Sequence, residues 1–135
     1  MLINTLNETI NTLNQLIKIS KEDIENIKQA NHNEVFKNTK IKEELAYKFS
    51  NLKNEIDNIL VSRNKSIEEI FTDEEERLFN EFRKKLFEFN KLHKKFSKLA
   101  LSVANFYNAL LKQIKQEENI NYSETYQKSN LQLKA

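Results

Sequence analysis

From Leu78 to Ile114 the apolar residues follow one another at steps of three and four. The series is Leu78, Phe82, Leu86, Phe89, His93, Phe96, Ala100, Val103, Phe106 or Tyr107, Leu110 and Ile114. That spacing is the repeat of one helix face set against neighbours, whereas a strand would alternate every second residue. Nothing in the 135 residues punctuates such a helix, because glycine and proline are both absent. The helix is expected to begin at Thr72, where Thr72-Asp73-Glu74-Glu75 reads as a capping box. The threonine hydroxyl and the Glu75 carboxylate can satisfy two orphaned amide donors, and the acids Asp73 to Glu76 suit the positive end of the helix dipole. Carried to about Glu118, the rod is roughly 70 Å long at ~1.5 Å per residue.

Two helices precede it. The first is expected from about Ile3 to Gln29, with a seam of Leu2, Leu6, Ile10, Leu13, Ile17, Ser20, Ile24 and Ile27. Thr5-Leu6-Asn7-Glu8 offers a second capping box, and Ser20 is a weak point in a core slot. Asn31-His32-Asn33 is the break, since asparagine tolerates left-handed backbone and Asn33 can cap the second helix. That helix is expected from about Glu34 to Arg63, with a seam of Val35 or Phe36, Ile41, Leu45, Phe49, Leu52, Ile56 and Ile59 or Leu60. Polar Ser62 to Ser66 opens the next turn. Ile67, Ile70 and Phe71 either extend helix two or form a short turn closing the bundle end.

The expected fold is therefore all-α: an antiparallel three-helix coiled-coil bundle, up-down-up, with a long third helix. Residues 1–118 form the bundle domain. Residues 119–135 lose periodicity and read as a flexible tail, with Tyr122 and Tyr126 as docking residues. The first two helices are about 40 and 45 Å long on the same rise, so the third outruns them. The expected overhang keeps a stripe of Val103, Phe106, Tyr107, Leu110, Leu111 and Ile114. Uncovered, such a stripe marks a partner site; the alternative is that helices one and two reach further and bury it.

Hydrophobic residues at 39% with 31% charged suit a slender helical bundle. There is no cysteine for disulfides or thiol chemistry, and a net charge of +2 is too small to point to nucleic acid. Lys84, Lys91, Lys95 and Lys98 share a helix face, but Glu88 interrupts it, so a solvated face is expected rather than a nucleic-acid site. The two histidines, His32 and His93, have Gln29 and Asn90 three residues before them, so no Glu-x-x-His metal pair exists. Zinc spacing and phosphate-cradling loops are also missing. We expect no enzyme, no cofactor and no metal. Met1-Leu2-Ile3-Asn4 does not read as a secretory signal, and the uncharged run Leu99 to Leu111 is too short to span a bilayer. A soluble, intracellular protein without stable membrane insertion is the expectation.

Asn105-Phe106-Tyr107-Asn108-Ala109-Leu110-Leu111 resembles the Asn-x-x-Asn-Gly-x-Leu pattern of the FlgN-like flagellar export chaperones, with Ala109 in the place of the usual glycine. Thr39-Lys40-Ile41-Lys42-Glu43-Glu44-Leu45 looks like that family's Thr-x-x-Lys-x-x-Leu, and Asn33-Glu34-Val35-Phe36 resembles the start of its second helix. Tyr122 and Tyr126 lack the glycine that tends to follow the family's tail tyrosine. The resemblance implies a cytoplasmic chaperone of the flagellar type III export system. Such a chaperone holds the hook–filament junction subunits FlgK and FlgL by their C-terminal helical segments and delivers them to the gate protein FlhA. Asn105 and Asn108 would then orient the client, and the tail would be the handle for the gate. A structural coiled-coil protein, pairing with itself as a homodimer through the same stripe, is the competing expectation.

Overall fold

A computed structural model describes the backbone of residues 1–134 and the side chains of residues 1–117. Three helices account for it: α1 Leu2–Lys28, α2 His32–Arg63 and α3 Asp73–Lys134. No strand occurs among the described residues. With neither glycine nor proline to stop it, the backbone of α3 stays helical past Glu118, its expected end. The segment read as a tail, with Tyr122 and Tyr126, lies outside the residues whose side chains are described. The chain divides into two compact units, Met1–Lys98 and Leu99–Ala135. The first holds α1, α2 and the start of α3; the second is α3 alone.

In the first unit α1 is the inner strut. All eight expected seam residues are buried, and so are Thr5, Thr9, Thr12, Leu16 and Asp23, which widen the seam into a broad face. Threonines are tolerated there because Thr9 Oγ1 donates to the Thr5 carbonyl at 2.7 Å and Thr12 Oγ1 to the Glu8 carbonyl at 2.8 Å. Each hydroxyl is satisfied by its own helix, so its burial leaves no unpaired polar group. Thr5 uses its hydroxyl in the same way on Met1 and across to Glu55, so the second expected capping box does not form.

Contacts fix the directions. Thr5 meets Glu55 while Asp23 meets Asn38; Phe49 stacks on Phe82 at 6.2 Å while the Lys42 ammonium lies 3.7 Å above the Phe96 ring. Thus α2 runs opposite to α1 and to the first part of α3. Leu2, Leu6, Ile10, Leu13 and Leu16 meet Ile56, Leu78 and Phe82 in one core.

The α2 seam departs from expectation in its first half. Val35, rather than Phe36, turns inward, and Ile41 is exposed. The inward positions are Val35, Asn38, Lys42, Leu45, Phe49, Leu52 and Ile56, an unbroken three-four series that contains two polar residues. Those two hold a fully buried carboxylate. Asn38 Nδ2 donates to Asp23 Oδ1 at 2.9 Å, and the Lys42 ammonium pairs with Oδ2 as an ion pair rather than an aligned hydrogen bond. A buried charge without such partners would cost several kcal/mol, on the order of 3–5.

The connections carry their own devices. Ala30 takes the left-handed conformation (φ 59°), a position expected of asparagine. The amide of Asn31 donates to the Asn26 carbonyl at 2.7 Å and that of Ala30 to the Ile27 carbonyl at 3.1 Å, which closes α1 in a Schellman motif. Asn31, at the start of α2, donates its side-chain amide to Gln29 and does not cap the helix. Ile67–Phe71 belong to neither helix but to turns, and Phe71 packs its ring 4.8 Å from Phe79. The capping box at Thr72 forms as expected: the Thr72 amide donates to Glu75 Oε1 at 2.9 Å and the Glu75 amide to Thr72 Oγ1 at 3.3 Å. Arg63, the last residue of α2, adds a two-pronged contact to the same carboxylate at 2.7 and 2.6 Å and a third bond to the Ile70 carbonyl. Hydrogen bonding from Arg63, with help from Thr72, holds the Glu75 carboxyl at about 2 against the upward push of burial.

Candidate functional site

The apolar repeat of α3 meets two environments. Within the first unit Leu78 and Phe82 are buried, Leu86 and Phe89 pack half-buried against the core, and His93 is exposed while stacking on Phe89 at 5.7 Å. Within the second unit Val103 is half-buried and the rest of the stripe is open. Phe106 is 65% exposed, Leu111 55%, Tyr107 45%, and Leu110 and Ile114 42% each. The second unit contains no other element that could cover them.

At 100° per residue, Val103, Leu110 and Ile114 lie within one narrow strip of the helix, flanked by Phe106 on one side and by Tyr107 and Leu111 on the other. Leu110 and Ile114 are one turn apart, and the Phe106 and Tyr107 rings meet edge-on at 5.8 Å. Asn105 and Asn108 are exposed too, but the same register places them on the far side of the helix. The proposed partner residues therefore separate into an apolar face and a polar back. Lys112 and Lys115 are exposed in the same segment.

The other recognised segment, Thr39 to Leu45, serves the interior of the first unit. Thr39 donates to the Val35 carbonyl, Lys42 pairs with Asp23, and Leu45 packs on the core. Beside it lies a hollow of about 280 Å³ between Leu16, Ala46, Phe89 and Phe96. No sequence pattern announced it, because it arises where small Ala46 faces large aromatic residues. Its one buried-side cation, Lys42, is already committed to Asp23 and to the Phe96 ring. The Asp23 cluster was equally silent in the sequence, since an aspartate between Glu22 and Ile24 looks like one more surface acid.

Among the described residues no three histidine, cysteine, aspartate or glutamate side chains converge to hold a metal ion, and no helix is long and apolar enough to cross a membrane. Comparison with protein-family models, with curated proteins and with solved structures found no match to this chain.

Proposed function

We propose that this chain is a cytoplasmic helix-binding chaperone of the flagellar type III export kind. It holds the C-terminal helical segments of the junction subunits FlgK and FlgL and presents them to the gate protein FlhA. The reading rests on one observation: the apolar face Phe106, Leu110, Leu111 and Ile114 is open on a segment with no second element of its own. An amphipathic client helix that would otherwise self-associate can lay its apolar side there. Burying about six large side chains at ~1.5–3 kcal/mol each gives on the order of 10 kcal/mol gross, of which association and ordering leave a part. Asn105 and Asn108, on the back of the helix, stay outside the client contact. The role is binding, and no residue is assigned to catalysis.

The test is a stoichiometric complex between the purified chain and the C-terminal segment of a junction subunit. Leu110→Glu combined with Ile114→Glu abolishes that complex with helicity unchanged by circular dichroism. Undiminished binding by the double variant removes this face from the mechanism. Concentration-dependent dimers in sedimentation that ignore the junction subunit favour the self-assembling coiled-coil alternative.

A further inference from the structure

We propose that the outer face of α3 in the first unit docks peripherally on an anionic lipid bilayer, a role independent of the open apolar stripe. At ~100° per residue, Arg83, Lys84, Lys91, Lys94 and Lys98 all lie within about 60° of Phe87, on the side away from buried Leu78 and Phe82. All five cations are exposed, and Phe87 stands among them 74% exposed. Its ring lines a shallow hollow with Asn80, Arg83 and Lys84. Glu88, which interrupts the lysine face in the sequence, sits about 100° round from Phe87 and pairs with Lys21 of α1 at 3.6 Å. The acids that do share the line, Asp73 and Glu76, belong to the first turn of α3, about 10 Å or more before Arg83. Arg83, Lys84, Lys91 and Lys94 make no ion pair with any described residue. From Arg83 to Lys98 seven basic residues stand against one acid, while the whole chain is only +2, so the remainder carries four net negative charges.

Like charges one turn apart, such as Lys94 and Lys98, repel along a helix, and an external anion offsets that repulsion. Shape selects the anion. The line from Arg83 to Lys98 is straight, about 22 Å long, and lies on the outside of a helix, so a plane meets all five cations at once. A single nucleic-acid strand is instead held in a charged groove by several stacking rings, and this convex face offers one ring. At a bilayer the cations meet anionic headgroups, each worth roughly fivefold in affinity, and the Phe87 ring enters the boundary between headgroups and acyl chains. The net-negative remainder of the chain orients this face toward the surface.

Co-sedimentation of the full-length chain with lipid vesicles tests this. Phosphatidylcholine vesicles with about 30 mol% phosphatidylserine should bind it at low salt, and pure phosphatidylcholine should not. Binding should fall away near ~0.5 M salt, as screened charges require. Lys91→Gln with Lys94→Gln should weaken it about twentyfold, and Phe87→Ser about fivefold, with helicity unchanged. Lys37→Gln with Lys53→Gln removes the same charge from exposed sites on α2 and should shift binding by less than about twofold. Equal losses from the two lysine pairs overturn the assignment to this face. Failure to bind the phosphatidylserine vesicles, or equal binding to neutral ones, overturns the proposal outright. An oligothymidine held at a salt concentration that strips the chain from vesicles overturns it in favour of a nucleic acid. None of these variants alters Leu110 or Ile114, so the junction-subunit complex is judged separately.

Discussion

The two stretches of α3 carry the same apolar repeat and meet opposite fates. Phe82 and Phe106 are both phenylalanines on that repeat; the first is 6% exposed and the second 65%. The difference lies in what the chain supplies around each of them. Around Phe82 it supplies Phe49 and Phe79, with α1 as the inner strut of the same core. Around Phe106, the second unit supplies only the helix that bears it. An apolar periodicity thus specifies a face, and a neighbour decides whether that face is a core or a surface.

The largest expected effect tests that contrast directly. Phe82→Ala should cost about 3–5 kcal/mol in denaturant unfolding, for lost burial plus a cavity. Phe106→Ala should cost less than about 0.5 kcal/mol, as exposed positions do. Similar losses at the two sites would break the comparison, because Phe106 would then have a core around it.

The covered unit also depends on the clasp between α2 and α3. Glu75→Gln should destabilise by about 2 kcal/mol, less than for a fully buried pair because Arg63 is partly exposed. Its pH signature has a definite sign. The folded-state value of Glu75 is depressed to about 2, so its stabilisation is present above the ordinary glutamate range and is lost as pH falls from about 4.5 toward 2. Thermal melts of the wild type over that window should show a decline that the Gln variant lacks in part. An unchanged profile would remove Glu75 from the acid response.

At the other end of the bundle, Lys42→Ala leaves the Asp23 carboxylate buried with Asn38 as its remaining partner, at an expected cost of about 1–3 kcal/mol. Asp23→Leu combined with Lys42→Met should recover most of it, within about 1 kcal/mol of the wild type, since both charges leave together. The smallest effect has the opposite direction. Ala30 holds a left-handed backbone that glycine adopts without penalty, so Ala30→Gly should raise stability by about 0.5–1 kcal/mol. The same substitution at Ala109, inside α3, should lower the helicity of its segment instead.

Much of the covered unit was legible because its cues are local. The eight α1 seam residues and the Thr72–Glu75 box depend on spacing along one helix, and spacing is written in the chain. The α2 seam departs from its reading at Ile41 because a hydrophobic residue one position from the true line is the better guess when partners are unknown. Lys42 lies inward only because Asp23 faces it across the helix pair. Arg63 likewise gains its place from Glu75, twelve residues further on.

The sequence by itself determined three helices, most of their bounds, the α1 core face and the cap that starts α3, since each rests on interactions reaching three or four residues along the chain. Tertiary structure alone decided that Asp23 and Glu75 are interior groups, that Ala46 faces a hollow, and that Phe106 is open where Phe82 is not. Burial is a property of two surfaces together, and one periodic face does not carry the identity of the other.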